Sequence, residues 1–197
     1  MKEFEKNQSL RDVKLLILKD KLEEKHFISE YRIEYNPIGK QLNFDFDCPE
    51  PLMKVQVYKD SGMESYEAIL VSNGKLYDPT YEVLLRSEKK LTRDLPYLAL
   101  PVGEMDAEIQ GKITALINKM EPEFQLKLSE VIVSESKDLT IILSVKNRPS
   151  SVFMGNTDWD EKLTKLDKIV NYMEGKNKIP TIINLTNAKK VVVKFND

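Results

Sequence analysis

Apolar residues recur at every second position in many short runs of this chain, and at helical spacing in fewer places. Side chains alternate across a strand with a period of two, whereas a helix repeats every 3.6 residues. The chain is therefore expected to fold around a sheet, with few helices to cover it. "YRIEY" sets Tyr31, Ile33 and Tyr35 on one face, and "QLNFDF" does the same with Leu42, Phe44 and Phe46. "NPIGK" lies between them, with Pro37 and Gly39 as turn residues, so the two runs read as a hairpin. "PLMKVQVY", Pro51 to Tyr58, alternates through Met53, Val55 and Val57. "YEAILVSNGKLYDP" reads as two short strands around Asn73-Gly74, a strong hairpin signal. Val83 to Leu85 is a further short segment, and the charged run "RSEKKLTRD" after it reads as a solvated loop. An extended piece, "LPYLALP", is bracketed by Pro96 and Pro101. "VIVSESKDLTIILSV" gives two strands, with Leu139, Ile141, Leu143 and Val145 on the core face. "SVFMG", "TIINL" and "KKVVVKF" complete the set, the last two joined around Asn187.

Helical spacing appears in three places. Residues 10–26 carry Leu15, Leu18 and Leu22 three and four apart, although "VKLLIL" at the front also reads as a strand. A second helix is expected to start near Glu104 to Asp106 and to stop before Pro122, with Ile109, Ile113, Leu116, Ile117 and Met120 as its stripe. Gly111 inside it costs about 1 kcal/mol against Ala, or permits close packing. The third follows "MGNTDW". Asp158 is expected to cap it, with Glu161 as the reciprocal partner. Leu163, Leu166, Ile169, Val170 and Met173 form its stripe, Gly175 ends it, and Trp159 is read as the anchor that seats it on the sheet. A small helix-plus-hairpin unit followed by many strands and two helices is an α+β chain. Its larger part is a mixed or antiparallel sheet with helices on one face. There is no internal repeat.

Reactive groups are scarce. The chain has 197 residues and a formal charge of −2, a balance that argues against a dedicated nucleic-acid binder. No run approaches the roughly 20 apolar residues that cross a bilayer. Cys48 is the single cysteine and lies between acidic neighbours, Asp47 and Glu50, so it reads as a space-filling thiol at a strand end. His26 is the single histidine, in "KLEEKHF" at an expected helix end, where a cation is favourable. An enzyme pairing His26 with a carboxylate is one reading that this leaves open. "QGKIT" lacks the upstream glycine of a phosphate loop. The Asp45 and Asp47 of "DFD" share one strand face and read as solvated, and the carboxylates of "NTDWDE" read as helix capping. Ser150 and Ser151 have no histidine within sequence reach, and Asn184-Leu185-Thr186 is a glycosylation sequon of a common kind. No catalytic residue, metal or cofactor is expected.

The end of the chain stands out. In "AKKVVVKFND" Val191, Val193 and Phe195 point one way, Val192 and Lys194 the other. At a sheet edge such a strand is guarded by its lysines, or serves as a rail for a strand of another chain. An ordinary edge or central strand is the plainer alternative.

From "LTIILSV" to "KKVVVKF" the chain resembles the C-terminal part of the bacterial cell-division family FtsQ/DivIB. The family shows a strand, a turn, a short strand ending in Gly, a helix with "KL..L", then a "DL" strand and a final Val-rich strand. Here these are Gly155, Lys162-Leu163 with Leu166, and Asn184-Leu185 in place of "DL". "GKLYDP" and "DLPYLALP" resemble its hairpin and "LP" segment, so the likeness runs over roughly residues 66–195. Residues 1–57 then resemble a divergent POTRA domain and 58–197 the β domain. The resemblance implies a non-enzymatic scaffold of the bacterial divisome at the septum. Its partners would be divisome proteins of the FtsB/DivIC and FtsL type, with no nucleic acid and no cofactor. It also implies a single-pass membrane protein, of which this chain is read as the extracytoplasmic part, cut from behind an N-terminal anchor. The partner would be received at the last strand, which falls on Asn187, Lys189, Lys190, Val191, Val192, Val193, Lys194 and Phe195. Proline at Val192 is expected to abolish partner binding if the N–H of that residue pairs across the open edge. A POTRA-containing transport or assembly factor is the alternative within the binding class.

Overall fold

A computed structural model describes residues 9–19, 28, 30–58, 65–77, 94–101, 106–187 and 189–195. His26, the Val83–Leu85 segment and most of the charged run after it lie outside these residues. The chain divides into two compact units. One comprises Met1–Glu50 and Tyr77–Thr92, the other Pro51–Leu76 and Arg93–Asp197. The division differs from the expected one at residue 57: the strand Pro51–Tyr58 pairs with two strands of the large sheet and so belongs to the second unit.

In the first unit, helix α1 (Leu10–Lys19) settles the choice left open at "VKLLIL". Ser9 and Asp12 form a reciprocal cap: the Ser9 N–H and hydroxyl donate to the Asp12 carboxylate, and the Asp12 N–H donates to the Ser9 hydroxyl. Strands β1 (Glu30–Asn36) and β2 (Gln41–Asp47) form the expected hairpin, pairing Tyr31 with Phe46, Ile33 with Phe44 and Tyr35 with Leu42. The Asn36 carboxamide oxygen accepts from the N–H groups of Ile38 and Gly39 and closes the turn. Asp45 and Asp47 are exposed, as expected. Cys48 is exposed as well, so it does not fill space.

The second unit holds a mixed sheet. Its strands in chain order are β3 (Pro51–Tyr58), β4 (Ser65–Val71), β5 (Leu76–Tyr77), β6 (Tyr97–Ala99), β7 (Leu128–Val133), β8 (Leu139–Val145), β9 (Arg148–Gly155), β10 (Ile182–Asn184) and β11 (Val192–Lys194). In space they run β11-β10-β9-β8-β7-β6-β3-β4-β5. The pairs β9–β10, β6–β7 and β3–β6 are parallel, while β3–β4, β7–β8, β8–β9 and β10–β11 are antiparallel. Gly74, at φ +84°, makes the predicted turn between β4 and β5. The register lines up one apolar row across the sheet: Ala68, Val55, Leu98, Val131, Ile141, Val152, Ile183 and Val193. The first seven of these are at most 1% exposed, and Val193, the last, is half-buried.

Helix α2 (Ala107–Asn118) and helix α4 (Trp159–Gly175) touch each other and cover that row, sending Ile113, Leu116, Ile117, Leu163, Leu166 and Val170 into one core. Asp106 caps α2, accepting from the N–H groups of Glu108 and Ile109 at 2.9 and 3.4 Å. The Gln110 and Asn118 side chains then bind the carbonyls of Gly74 and Ser72, which fastens the β4–β5 turn to the helix. A short helix α3 (Pro122–Gln125) was not anticipated. It buries Phe124, and its Gln125 amide donates to the carbonyls of Ile117 and Met120 where α2 ends. Among the described residues no helix is long and apolar enough to cross a membrane.

Both ends of α4 depart from expectation. Asp158 stands at the cap position but is left-handed, at φ 55°, and makes no side-chain capping bond. The expected exchange with Glu161 is therefore absent, and Asp160 and Glu161 complement the helix dipole from the first turn instead. At the other end the left-handed residue is Asn177, at φ 56°, rather than Gly175. The Asn177 N–H binds the Glu174 carbonyl and the Lys178 N–H binds that of Met173, a Schellman closure.

Candidate protein-docking edge

Among the described residues β11 pairs with β10 alone and lies at one end of the strand order. Val192, Val193 and Lys194 form the strand, Lys190 and Val191 lead into it, and Phe195 follows. Asn187 and Lys189 lie in the preceding turn. Of these eight residues all are exposed except Val193.

The direction of each backbone group on β11 follows from its neighbours. The Ser151 N–H donates to the Thr181 carbonyl at 2.9 Å, and the Leu185 N–H to the Phe153 carbonyl at 2.8 Å. In the β9–β10 ladder, then, the Thr181 carbonyl, the backbone groups of Ile183 and the Leu185 N–H turn toward β9. Along a strand these groups point to alternate sides, so Ile182 and Asn184 turn theirs toward β11. Their partners across the ladder are Lys194 and Val192. The Lys194 carbonyl also accepts from the N–H of Thr181, the bend residue before β10, at 2.9 Å, which places that carbonyl on the β10 side. The groups of Val193 point away from the molecule, and an extended continuation of the strand would turn those of Val191 and Phe195 the same way. The expectation for Val192 is thus corrected: its N–H is used inside the sheet, and that of Val193 faces outward.

The side chains sort by the same parity. Val193 is paired with Ile183 and ends the apolar row on the helix side, and Val191 and Phe195, which flank the strand, are 39% and 44% exposed. Val192 and Lys194 occupy the opposite face.

Helix α4 braces the edge through a short relay. Lys162 is buried, and its ammonium donates to the carbonyls of Met154 and Thr157 at 2.7 and 2.8 Å. Trp159 donates its indole N–H to the Gly155 carbonyl at 2.8 Å, the anchoring role expected of it. The turn after β9 is thereby held at Met154, Gly155 and Thr157. Gly155 itself is at φ +70°, where an L side chain is strained, and a Cβ there would meet Thr186 at 3.6 Å. Thr186 belongs to the loop between β10 and β11, where its N–H and hydroxyl both donate to the Asn184 carboxamide oxygen. A second turn of this kind, Lys189 N–H to Asn187, completes the loop. The asparagine of the sequon is therefore engaged in a turn. Nothing in the sequence marks Lys162 as buried; it differs from its exposed neighbours only in standing beside Leu163 on the core-facing side.

Elsewhere among the described residues, Lys127 and Glu174 form a half-buried ion pair at 2.6 Å and the other ion pairs are exposed. Asp106 is held below the usual carboxylate value first by its hydrogen bond from Lys137, at 2.9 Å, and then by the N–H groups it caps. Lys137 is raised in return by Asp106. Glu108 is lowered by Lys112. A cleft beside these groups is lined by Ile109, Lys112, Lys137, Trp159 and Asp160, and another by Leu95, Tyr97, Ile117, Leu126 and Leu128. Among the described residues no three His, Cys, Asp or Glu side chains gather as metal ligands would.

No family model matches the chain, and no curated protein matches it. Among solved structures it is similar to the major extracytoplasmic domain of the trans isomer of the bacterial cell division protein DivIB from Geobacillus stearothermophilus. The identity is 16% and the TM-score 0.39, over 68% of this chain and 98% of that one.

Proposed function

We propose that this chain is a non-enzymatic scaffold of the FtsQ/DivIB type. It recruits FtsB/DivIC- and FtsL-type partners during bacterial septation by accepting a partner strand along β11. On this reading the region is extracytoplasmic and is tethered by an anchor that precedes it, and the first unit is a divergent POTRA domain. The observation that supports the reading is the outward-facing backbone of Val193, on a strand that has one neighbour among the described residues. Such an edge binds through main-chain hydrogen bonds and selects through alternate side chains.

The test is binding of the purified chain to the extracytoplasmic region of a DivIC-type partner, with Val193→Pro as the variant. Proline at 193 removes an N–H that faces away from β10 and places its ring where the incoming strand would lie, while the bonds between β10 and β11 stay intact. Affinity is expected to fall by about tenfold or more, the equivalent of one lost bond, with unchanged circular dichroism. Full affinity in a folded Val193→Pro variant refutes strand addition here. Val192→Pro is the wrong variant for this purpose, because it breaks the pairing with Asn184 inside the sheet.

A further inference from the structure

The charge on the outer strand limits what can pair with it. Lys189, Lys190 and Lys194 fall within six residues, and none of them forms an ion pair with a described residue. The same face of the neighbouring strands shows Ser151, Phe153, Ile182 and Asn184, with no carboxylate. This end of the sheet is basic, although the chain as a whole carries −2. On the helix side the same edge is apolar, through Val191, Val193 and Phe195.

Taking strand addition at β11 as the premise, we infer that the segment received there alternates apolar and acidic residues. Its apolar side chains continue the row that ends at Val193, and its carboxylates stand on the face of Lys190 and Lys194. Opposite charges facing each other across a ladder are favourable and like charges unfavourable. A second copy of β11 fits poorly for the same reason. An antiparallel copy that uses the outward groups of odd-numbered residues must set even-numbered residues against even-numbered ones. One register opposes Lys190 to Lys194 of the other copy, another opposes Lys194 to Lys194, and the register between them sets Val192 against Lys194. None offers either ammonium a counter-charge.

Three seven-residue peptides test this against the full chain by titration calorimetry at low salt: alternating Val and Glu, alternating Val and Gln, and alternating Val and Lys. The Val–Glu peptide is expected to bind about tenfold more tightly than Val–Gln, with Val–Lys weakest. The preference should collapse near 0.5 M salt, where the screening length is only about 4 Å. The Lys190→Glu/Lys194→Glu variant should reverse the order. Equal affinities for the three peptides, an order that the double variant does not reverse, or no binding of Val–Glu at about 1 mM overturns the inference. Val193→Pro separates it from its premise. If that variant loses all three peptides but the wild type binds them equally, the edge docks strands and the charge rule is wrong. If it binds Val–Glu as the wild type does, the peptide lies elsewhere and the premise fails with it. A wild-type dimer in sedimentation that Val193→Pro dissolves also overturns the inference, since the occupant is then a second copy.

Discussion

Replacing Lys162 by methionine tests the support of the edge. The side chain is 4% exposed, and its ammonium donates to the carbonyls of Met154 and Thr157 at 2.7 and 2.8 Å. Methionine keeps most of the apolar stem and removes the donor. Two effects then compete. The variant no longer has to dehydrate an ammonium on folding, which costs several kcal/mol per ion. It forfeits two charge-assisted bonds, each worth about 1.5–3 kcal/mol net of that dehydration. The net figure already contains the first effect, so the loss decides the sign. The Thr157 carbonyl, nearer the surface, regains water and recovers part of its bond. The Met154 carbonyl is buried and stays orphaned. The expected destabilisation is therefore about 2–3 kcal/mol. Urea unfolding followed by circular dichroism measures it, and Trp159, the single tryptophan, reports the same turn by fluorescence. Lys165→Met, which removes only an exposed i,i+4 pair with Glu161, should stay within about 0.5 kcal/mol of the wild type. A Lys162→Met variant as stable as Lys165→Met refutes the claim that this buried ammonium fastens the turn.

Leu166, fully buried in the core beneath α4, should cost about 2–5 kcal/mol as Leu166→Ala in the same urea assay. Ser150 is buried with no partner for its hydroxyl, so Ser150→Ala should be as stable as the wild type or up to about 1 kcal/mol more so; a loss greater than that means the hydroxyl is bonded. Asp106 is depressed below its usual 3.8, so what it adds to stability is complete above that value and is lost as pH falls through the folded pKa. Lys137 is raised above its usual 10.5, so its share is complete below that value and is lost as pH rises through its own folded pKa. The melting-temperature gap between wild type and Asp106→Asn should therefore be flat between those limits and close on either side; a gap unchanged at pH 2 excludes the ion pair as its source.

Period-two patterning located the strands because each side chain in a two-layer sheet has one buried face. Leu139, Ile141, Leu143 and Val145 were legible for that reason, as was the 3.6-residue stripe of α4. What stayed hidden depends on groups that carry no hydropathy. Asp158 has the composition of a cap, but the turn after Gly155 is held by Lys162 and Trp159, and Asp158 takes a left-handed conformation there rather than bonding the helix end. The stop at Asn177 was masked by Gly175 two residues earlier. Both residue types tolerate positive φ, and the Schellman bonds form at only one of them. The domain boundary was misplaced because Pro51–Tyr58 reads as a strand in either unit; its pairing with β4 and β6, one of them far along the chain, decides its place.

The docking edge shows the same limit at the scale of a single bond. Alternation in the sequence set Val193 on a different face from Val192 and Lys194, and the pairing of Val193 with buried Ile183 agrees. It could not tell which residues face the open side, because that is a second alternation, in the plane of the sheet, set by the strand next door. Ser151 and Phe153 on β9 bond Thr181 and Leu185, which turns Ile182 and Asn184 toward β11 and leaves Val193 facing out. Had β9 and β10 met one residue out of step, the outward groups would be those of Val192 and Lys194, with every side chain of β11 unchanged in sequence. The chemistry offered to a partner then differs: here the strand residue with the outward N–H, Val193, is apolar and extends the core, and Lys194 is a residue already committed to β10. On the proposed reading, an incoming strand is held by the backbone of one set of residues and discriminated by the charge of the other. Val193→Pro and Lys194→Glu should accordingly act on affinity and on selectivity as separate effects, and identical consequences from the two would mean that the parity assigned to β11 is reversed.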